Sequence, residues 1–281
     1  MSLDLQYISQ DPQHLPERPA STEGFFLENH GESIFGTVLI PGGAAVDVYP
    51  GIVLLHGFPG YTSTFDLAQN LRRAGLVVVS PYYRGCWGSG GRYTFSGAID
   101  DAVRTASWMH EESTAKTYHV DRDKLFFIGH SMGGFISVNA TRRLSWIKGT
   151  AVMSPYDLAG RAEAGDAALD QLIRESVPVM NVESAEALAA DAKMCAKKGW
   201  AISDAFEDVK DRNLYFIGAS QDDIAPAEQM IEPLWNQLTA HETKALQNYD
   251  TLPAGHGYDD RRLTVSAMFA AWIQRVLYSL T

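Results

Sequence analysis

From residue 24 to the C-terminus, short apolar runs alternate with segments whose apolar residues recur at helical spacing. That alternation predicts strands separated by helices. Gly24 to Asn29 and Ser33 to Pro41, joined at Asn29-His30-Gly31-Glu32, read as an opening antiparallel hairpin. Gly51 to Leu55, Leu76 to Ser80, Lys124 to Ile128, Thr150 to Met153, Asn213 to Ile217 and Lys244 to Tyr249 supply six more strands. Helices are predicted over Thr64 to Ala74, Gly97 to Glu111, Met132 to Arg143, Ala227 to Leu238 and Asp260 to Tyr278. The expected architecture is an α/β fold: a mostly parallel eight-stranded sheet with helices on both faces.

One stretch breaks the alternation. Residues 156–208 are rich in Ala, Glu and Asp and carry helical periodicity without a strand, so they predict a helical insertion between two strands. Helical pieces at Ala159 to Ser176 and Ser184 to Lys198 would form a cap over the carboxyl ends of the strands. The insertion's apolar residues Leu169, Ile173, Met180, Met194 and Trp200 are then candidates for lining a substrate pocket, or simply hold the cap to the core. Residues 1–20, with Pro12, Pro16 and Pro19, read as an N-terminal arm over the surface. No internal repeat appears, and residues 1–281 read as one domain.

Composition narrows the function classes. Against 34 acidic residues stand 23 basic ones, a net charge of −11 that disfavours nucleic acid and anionic membranes as partners. Two cysteines, Cys86 and Cys195, imply no disulfide framework and suit a reducing compartment. Met1 to Pro19 is polar, without the apolar core of a signal peptide, and no run reaches membrane-spanning length, so a cytoplasmic location is expected. The eight histidines lack metalloprotease spacing, and neither a phosphate-binding loop nor a dinucleotide fingerprint occurs. Neither a metal nor a cofactor is expected.

The chemistry concentrates at Gly129-His130-Ser131-Met132-Gly133, a G-x-S-x-G placed between a predicted strand and a predicted helix. A serine on such an elbow projects its hydroxyl beyond the sheet, and the flanking glycines let strand and helix approach each other. A serine hydroxyl needs a base, and the base needs an orienting acid. Past later predicted strands come Asp222-Asp223 and then His256, whose imidazole suits proton transfer near neutrality. His56-Gly57-Phe58-Pro59-Gly60, after the strand Gly51 to Leu55, offers the Phe58 N–H to a developing oxyanion, with the Met132 N–H as second donor. His56 reads as a prop for this loop rather than a base. Arg84 reads as a structural partner of Asp100 or Asp101 rather than a substrate clamp.

With these motifs in this order, the chain resembles the alpha/beta-hydrolase superfamily over most of residues 24–278. The segment Tyr82 to Gly91, followed by Asp100-Asp101-Ala102-Val103, is similar to prolyl-oligopeptidase-like and serine-aminopeptidase-like catalytic domains and to small bacterial feruloyl-type esterases. The resemblance implies a Ser131–His256–Asp222 triad. Asp222 is preferred over Asp223 because it stands four positions before Pro226, the family's usual spacing. It further implies an acyl-serine mechanism on a small ester, thioester or amide. A carboxylesterase is the first expectation and a small aminopeptidase or acyl-peptide hydrolase the second. A non-catalytic receptor or scaffold on the same fold is the alternative from another class. A serine in the nucleophile position argues against the dehalogenase and epoxide hydrolase branches, which carry Asp there.

Overall fold

The computed structural model describes residues 3–60 and 64–279. These build an eight-stranded sheet from β1 (Ser21–Asn29), β2 (Glu32–Ile40), β3 (Tyr49–Leu55), β4 (Val77–Pro81), β5 (Val120–His130), β6 (Gly149–Met153), β7 (Leu214–Ala219) and β8 (Gln247–Leu252). Spatial order is β1-β2-β4-β3-β5-β6-β7-β8. The sheet is mixed. β1 and β2 pair antiparallel with Asn29 opposite Glu32, and β2 runs antiparallel to β4. From β4 to β8 every pairing is parallel.

The helices are α1 (Phe65–Arg73), α2 (Phe95–His110), α3 (Glu112–Thr117), α4 (Met132–Thr141), α5 (Leu158–Glu163), α6 (Ala167–Ser176), α7 (Ala185–Lys197), α8 (Phe206–Val209), α9 (Ala227–Met230), α10 (Glu232–Thr239) and α11 (Arg262–Ser279). Side chains alternate across a strand, so each face of the sheet seeds its own core. Val53, Leu55, Val79 and Phe127 pack with α2, α4 and the residues of α5 to α7. Ile52, Leu54, Val78 and Phe126 pack with Leu67 and Leu71 of α1 and Phe269 and Ile273 of α11. The N-terminal arm contributes to that second core through buried Leu3 and Ile8, and Arg18 bridges to Gly43.

Element boundaries depart from expectation where a single residue interrupts a periodic pattern. The helix expected over Ala227 to Leu238 divides into α9 and α10 beside Pro233, whose missing N–H and ring bulk break the ladder. The piece expected over Ala159 to Ser176 divides at Gly165, after which the Asp166 carboxylate accepts the Ala168 N–H at 2.8 Å and caps α6. The last strand lies at Gln247–Leu252, three residues past the expected Lys244 to Tyr249.

Helices α5 to α8 form the insertion between β6 and β7. Its entrance meets the turn ahead of α8 at Asp157. That carboxylate is buried, caps α5 by accepting the Gly160 N–H at 3.2 Å, and receives backbone hydrogen bonds from Ile202 and Ser203. Burial pushes its carboxyl up to about 6 against those hydrogen bonds.

Candidate active site

Three parallel strands deliver three side chains to one end of the sheet. β5 stops at His130, and Ser131 follows as the residue that caps α4. Its backbone lies at φ 56°, ψ −122°, a conformation an L-residue adopts only when its surroundings impose it. Those surroundings are glycine-sized: a Cβ on Gly129 would strike the Gly133 carbonyl, and one on Gly133 would strike the Leu55 carbonyl. The Ser131 N–H donates to the Met153 carbonyl at 3.1 Å, while its own carbonyl accepts the N–H of Gly134 at 2.8 Å and of Tyr156 at 2.9 Å.

Asp222 follows β7, and His256 follows β8. His256 Nδ1 lies 2.9 Å from Asp222 Oδ2, and Nε2 lies 2.9 Å from Ser131 Oγ. A carboxylate can only accept, so Nδ1 carries the proton and Nε2 faces the serine hydroxyl as acceptor. Asp222 Oδ1 accepts the N–H groups of Ile224 at 3.0 Å and Ala225 at 2.8 Å. Burial pushes the Asp222 carboxyl up, but the hydrogen bond and charge of His256, with the Ser154 hydroxyl and Ala225 N–H, outweigh it and hold the group down at about 2. Asp223 is exposed, and no hydrogen bond to His256 is found for it among the described residues.

The loop after β3 brings Phe58 beside the serine. His56 Nδ1 donates to the Gly57 carbonyl at 2.7 Å, and the Tyr83 hydroxyl donates to the His56 carbonyl at 3.0 Å, so the loop is propped from both sides. Burial lowers the His56 imidazole to about 4, which leaves it neutral. Among the described residues no hydrogen bond engages the N–H of Phe58 or of Met132. Both residues line a cavity of about 160 Å³ together with Ser131, His256, Tyr156, Leu172 and Ile224.

The expected lining from the insertion lies elsewhere. Leu169 and Ile173 are buried, and border a separate small cavity with Ala189, Ala192 and Lys193 on the α7 side. Met180 is buried in the core. Met194 packs against that core from α7, and Trp200 is held between the Arg143 guanidinium at 4.8 Å and the Lys198 ammonium at 4.7 Å. From α6 it is the half-buried Leu172 that reaches the serine cavity. Arg84 takes the structural role, its Nε donating to Asp101 Oδ1 at 2.7 Å, while Asp100 pairs with Arg143.

Sequence reasoning passed over His130. It is buried, and its Nε2 donates to the His256 carbonyl at 2.9 Å. Burial, followed by the neighbouring His256, lowers its imidazole to about 3. Nothing in the motif flags it, because the second position of G-x-S-x-G is unrestricted. Among the described residues no group of three or more His, Cys, Asp or Glu could hold a metal ion, and no helix is long and apolar enough to cross a membrane.

A model of the alpha/beta hydrolase family matches residues 52–276. Among solved structures, puromycin hydrolase superposes with a TM-score of 0.70 at 16% identity, over 92% of this chain and 40% of that one. Acylaminoacyl peptidase of Pyrococcus horikoshii superposes with a TM-score of 0.66 at 16% identity, over 91% of this chain and 42% of that one. The chain thus spans about two fifths of the length of these structures. At such identities the likeness carries the fold alone. No curated protein matches this chain at a significant level.

Proposed function

Because the chain belongs to the alpha/beta hydrolase family, we propose that it is a serine hydrolase acting through an acyl-serine intermediate, and that its substrates are small carboxylic esters. The observation that carries this reading is the unbroken run of two hydrogen bonds, each 2.9 Å, from Ser131 through His256 to Asp222. In the reaction His256 Nε2 takes the Ser131 proton as Oγ attacks the carbonyl carbon, and Asp222 steadies the imidazolium that results. The carbonyl oxygen, now an anion, accepts the N–H groups of Phe58 and Met132. His256 then returns the proton to the departing alkoxide as the bond to it breaks. Water then attacks the acyl carbon and gives a proton to His256, which returns it to Ser131 Oγ as the acyl–Oγ bond breaks, releasing the carboxylic acid and the free serine.

The ester reading rests on the cavity's lining. None of the described residues that wall it is acidic, so it offers no counter-charge to a substrate's free amine, and about 160 Å³ suits a short acyl group. The structural likeness to puromycin hydrolase and acylaminoacyl peptidase supports a second reading, cleavage of amides in short or blocked peptides. Two measurements test both. A fluorophosphonate should label the protein at Ser131 and not label Ser131→Ala. Across p-nitrophenyl esters, kcat/KM should follow acyl length, whereas dependence on the side chain of aminoacyl anilides would transfer the assignment to the amidase reading.

A further inference from the structure

Buried backbone strain is concentrated around the serine. Among the described residues, the buried non-glycine residues with positive φ are Ser131 at 56°, Ser154 at 41° and Tyr258 at 53°. Such a conformation is costly, above all for a side chain as bulky as tyrosine, and persists only where the surroundings impose it. The elbow accounts for Ser131. Ser154 and Tyr258 belong to no such motif, and neither lines the serine cavity.

These two residues meet. Ser154 Oγ lies 2.9 Å from the Tyr258 hydroxyl, and the Ile217 carbonyl accepts both the Tyr258 hydroxyl at 2.8 Å and the Ser154 N–H at 2.8 Å. A carbonyl only accepts, so the phenol proton is committed there and the Ser154 hydroxyl is the donor of the pair. Each partner also holds a different part of the site. Ser154 stands between Met153, whose carbonyl accepts the Ser131 N–H, and Tyr156, whose N–H donates to the Ser131 carbonyl, so its turn grips the serine peptide from both sides. Tyr258 donates its N–H to the Gly255 carbonyl at 3.0 Å, which closes a turn with His256 and Gly257 at its corner. Ile217 belongs to β7, the strand that leads to Asp222.

The geometry points to Tyr258 and Ser154 as positioning residues: their hydroxyls lock the turn that carries His256 onto the segment that grips Ser131 and onto the strand that leads to Asp222. The imidazole is thereby fixed against the serine hydroxyl. For its effect on turnover the inference rests on the serine hydrolase reading, whereas its effect on His256 requires no substrate.

Tyr258→Phe keeps the ring and removes the lock. It should lower kcat on a p-nitrophenyl ester about tenfold with KM near its starting value. It should also speed solvent exchange of the His256 Nδ1 proton, read without substrate as loss of that proton's low-field resonance. Ser154→Gly removes the other hydroxyl where φ 41° already suits glycine, so it should repeat both effects with the unfolding midpoint nearly held. It also carries the test alone should Tyr258→Phe fail to fold. Tyr215→Phe is the control, because it deletes another tyrosine hydroxyl bond, to Asp250 at 2.7 Å between β7 and β8, and should lower stability without moving kcat or the resonance. The inference is overturned if Ser154→Gly or a folded Tyr258→Phe keeps the wild-type kcat and resonance, if Tyr215→Phe loses them equally, or if the wild-type protein shows no such resonance. A wild-type protein that the fluorophosphonate does not label would overturn the hydrolase reading instead, and the resonance comparison would still decide the positioning.

Discussion

His130 Nε2 donates to the main-chain carbonyl of His256 at 2.9 Å, with the two rings 5.0 Å apart, so the residue preceding Ser131 also holds the loop that carries His256. Under the proposed mechanism this makes His130 a positioning residue. His130→Ala should lower kcat about tenfold while leaving KM near its starting value, because the substrate's own contacts are untouched. His130→Gln, which can return an N–H to the same carbonyl, should restore most of the loss. A fall in kcat that glutamine does not relieve would assign His130 to packing alone.

Ser131→Ala should reduce turnover by several orders of magnitude with the unfolding midpoint nearly unchanged, and Ser131→Ala/His256→Ala should be little worse than either single change. Asp222→Asn should cost about 10³ to 10⁴ in kcat, since the amide imposes the wrong imidazole tautomer. Asp223→Asn should be close to neutral, its carboxylate being exposed. Equal losses at both positions would undo the assignment of Asp222.

Acyl selectivity should answer to Leu172. Leu172→Ala should shift the optimum of kcat/KM toward longer acyl chains, each well-buried methylene contributing up to about 0.8 kcal/mol. Leu169→Ala and Ile173→Ala should instead lower stability by about 2 to 4 kcal/mol and leave the acyl profile in place, because both side chains are core. An altered profile in either core variant would mean that α6 moves with its packing.

Stability should vary with pH in two opposite senses. Burial depresses His56 to about 4 and His130 to about 3, so the stability tied to their neutral forms is complete above the free-imidazole value near 6.5 and is lost as pH falls through those values. Asp157 is raised to about 6, so its contribution is complete below the ordinary carboxylate value near 4 and is lost as pH rises through about 6. Denaturant unfolding should therefore show Asp157→Asn gaining on the wild-type protein between pH 4 and 7 by about 2 to 3 kcal/mol. His130→Gln should gain on it as pH falls from 6.5 toward 4. A difference independent of pH in either comparison would contradict the corresponding burial argument.

The sheet was legible because each strand is a short apolar run with its own punctuation, and Ser131 because its elbow is encoded within five residues. Asp222 and His256 were reachable only through their positions after later strands. The lining of the insertion was not legible. Helical periodicity marks Leu169 and Ile173 as apolar-face residues, but it does not say whether that face meets α7 or the cavity, and Leu172 carries no distinguishing mark. His130 and the pairing of Ser154 with Tyr258 depend on contacts between segments far apart in the chain, which no local pattern records.

The Asp157 carboxylate joins the first residues of the insertion to Ile202 and Ser203, just ahead of its last helix. Everything between them is a loop whose ends are already closed, and the entropy of such a loop grows only with the logarithm of its length. Helices in that interval can thus lengthen, shorten or be exchanged while β5, β7 and β8 keep Ser131, Asp222 and His256 in register. The molecule therefore divides into a frame that carries the three side chains and an exchangeable faceplate, with one buried acid as the latch between them.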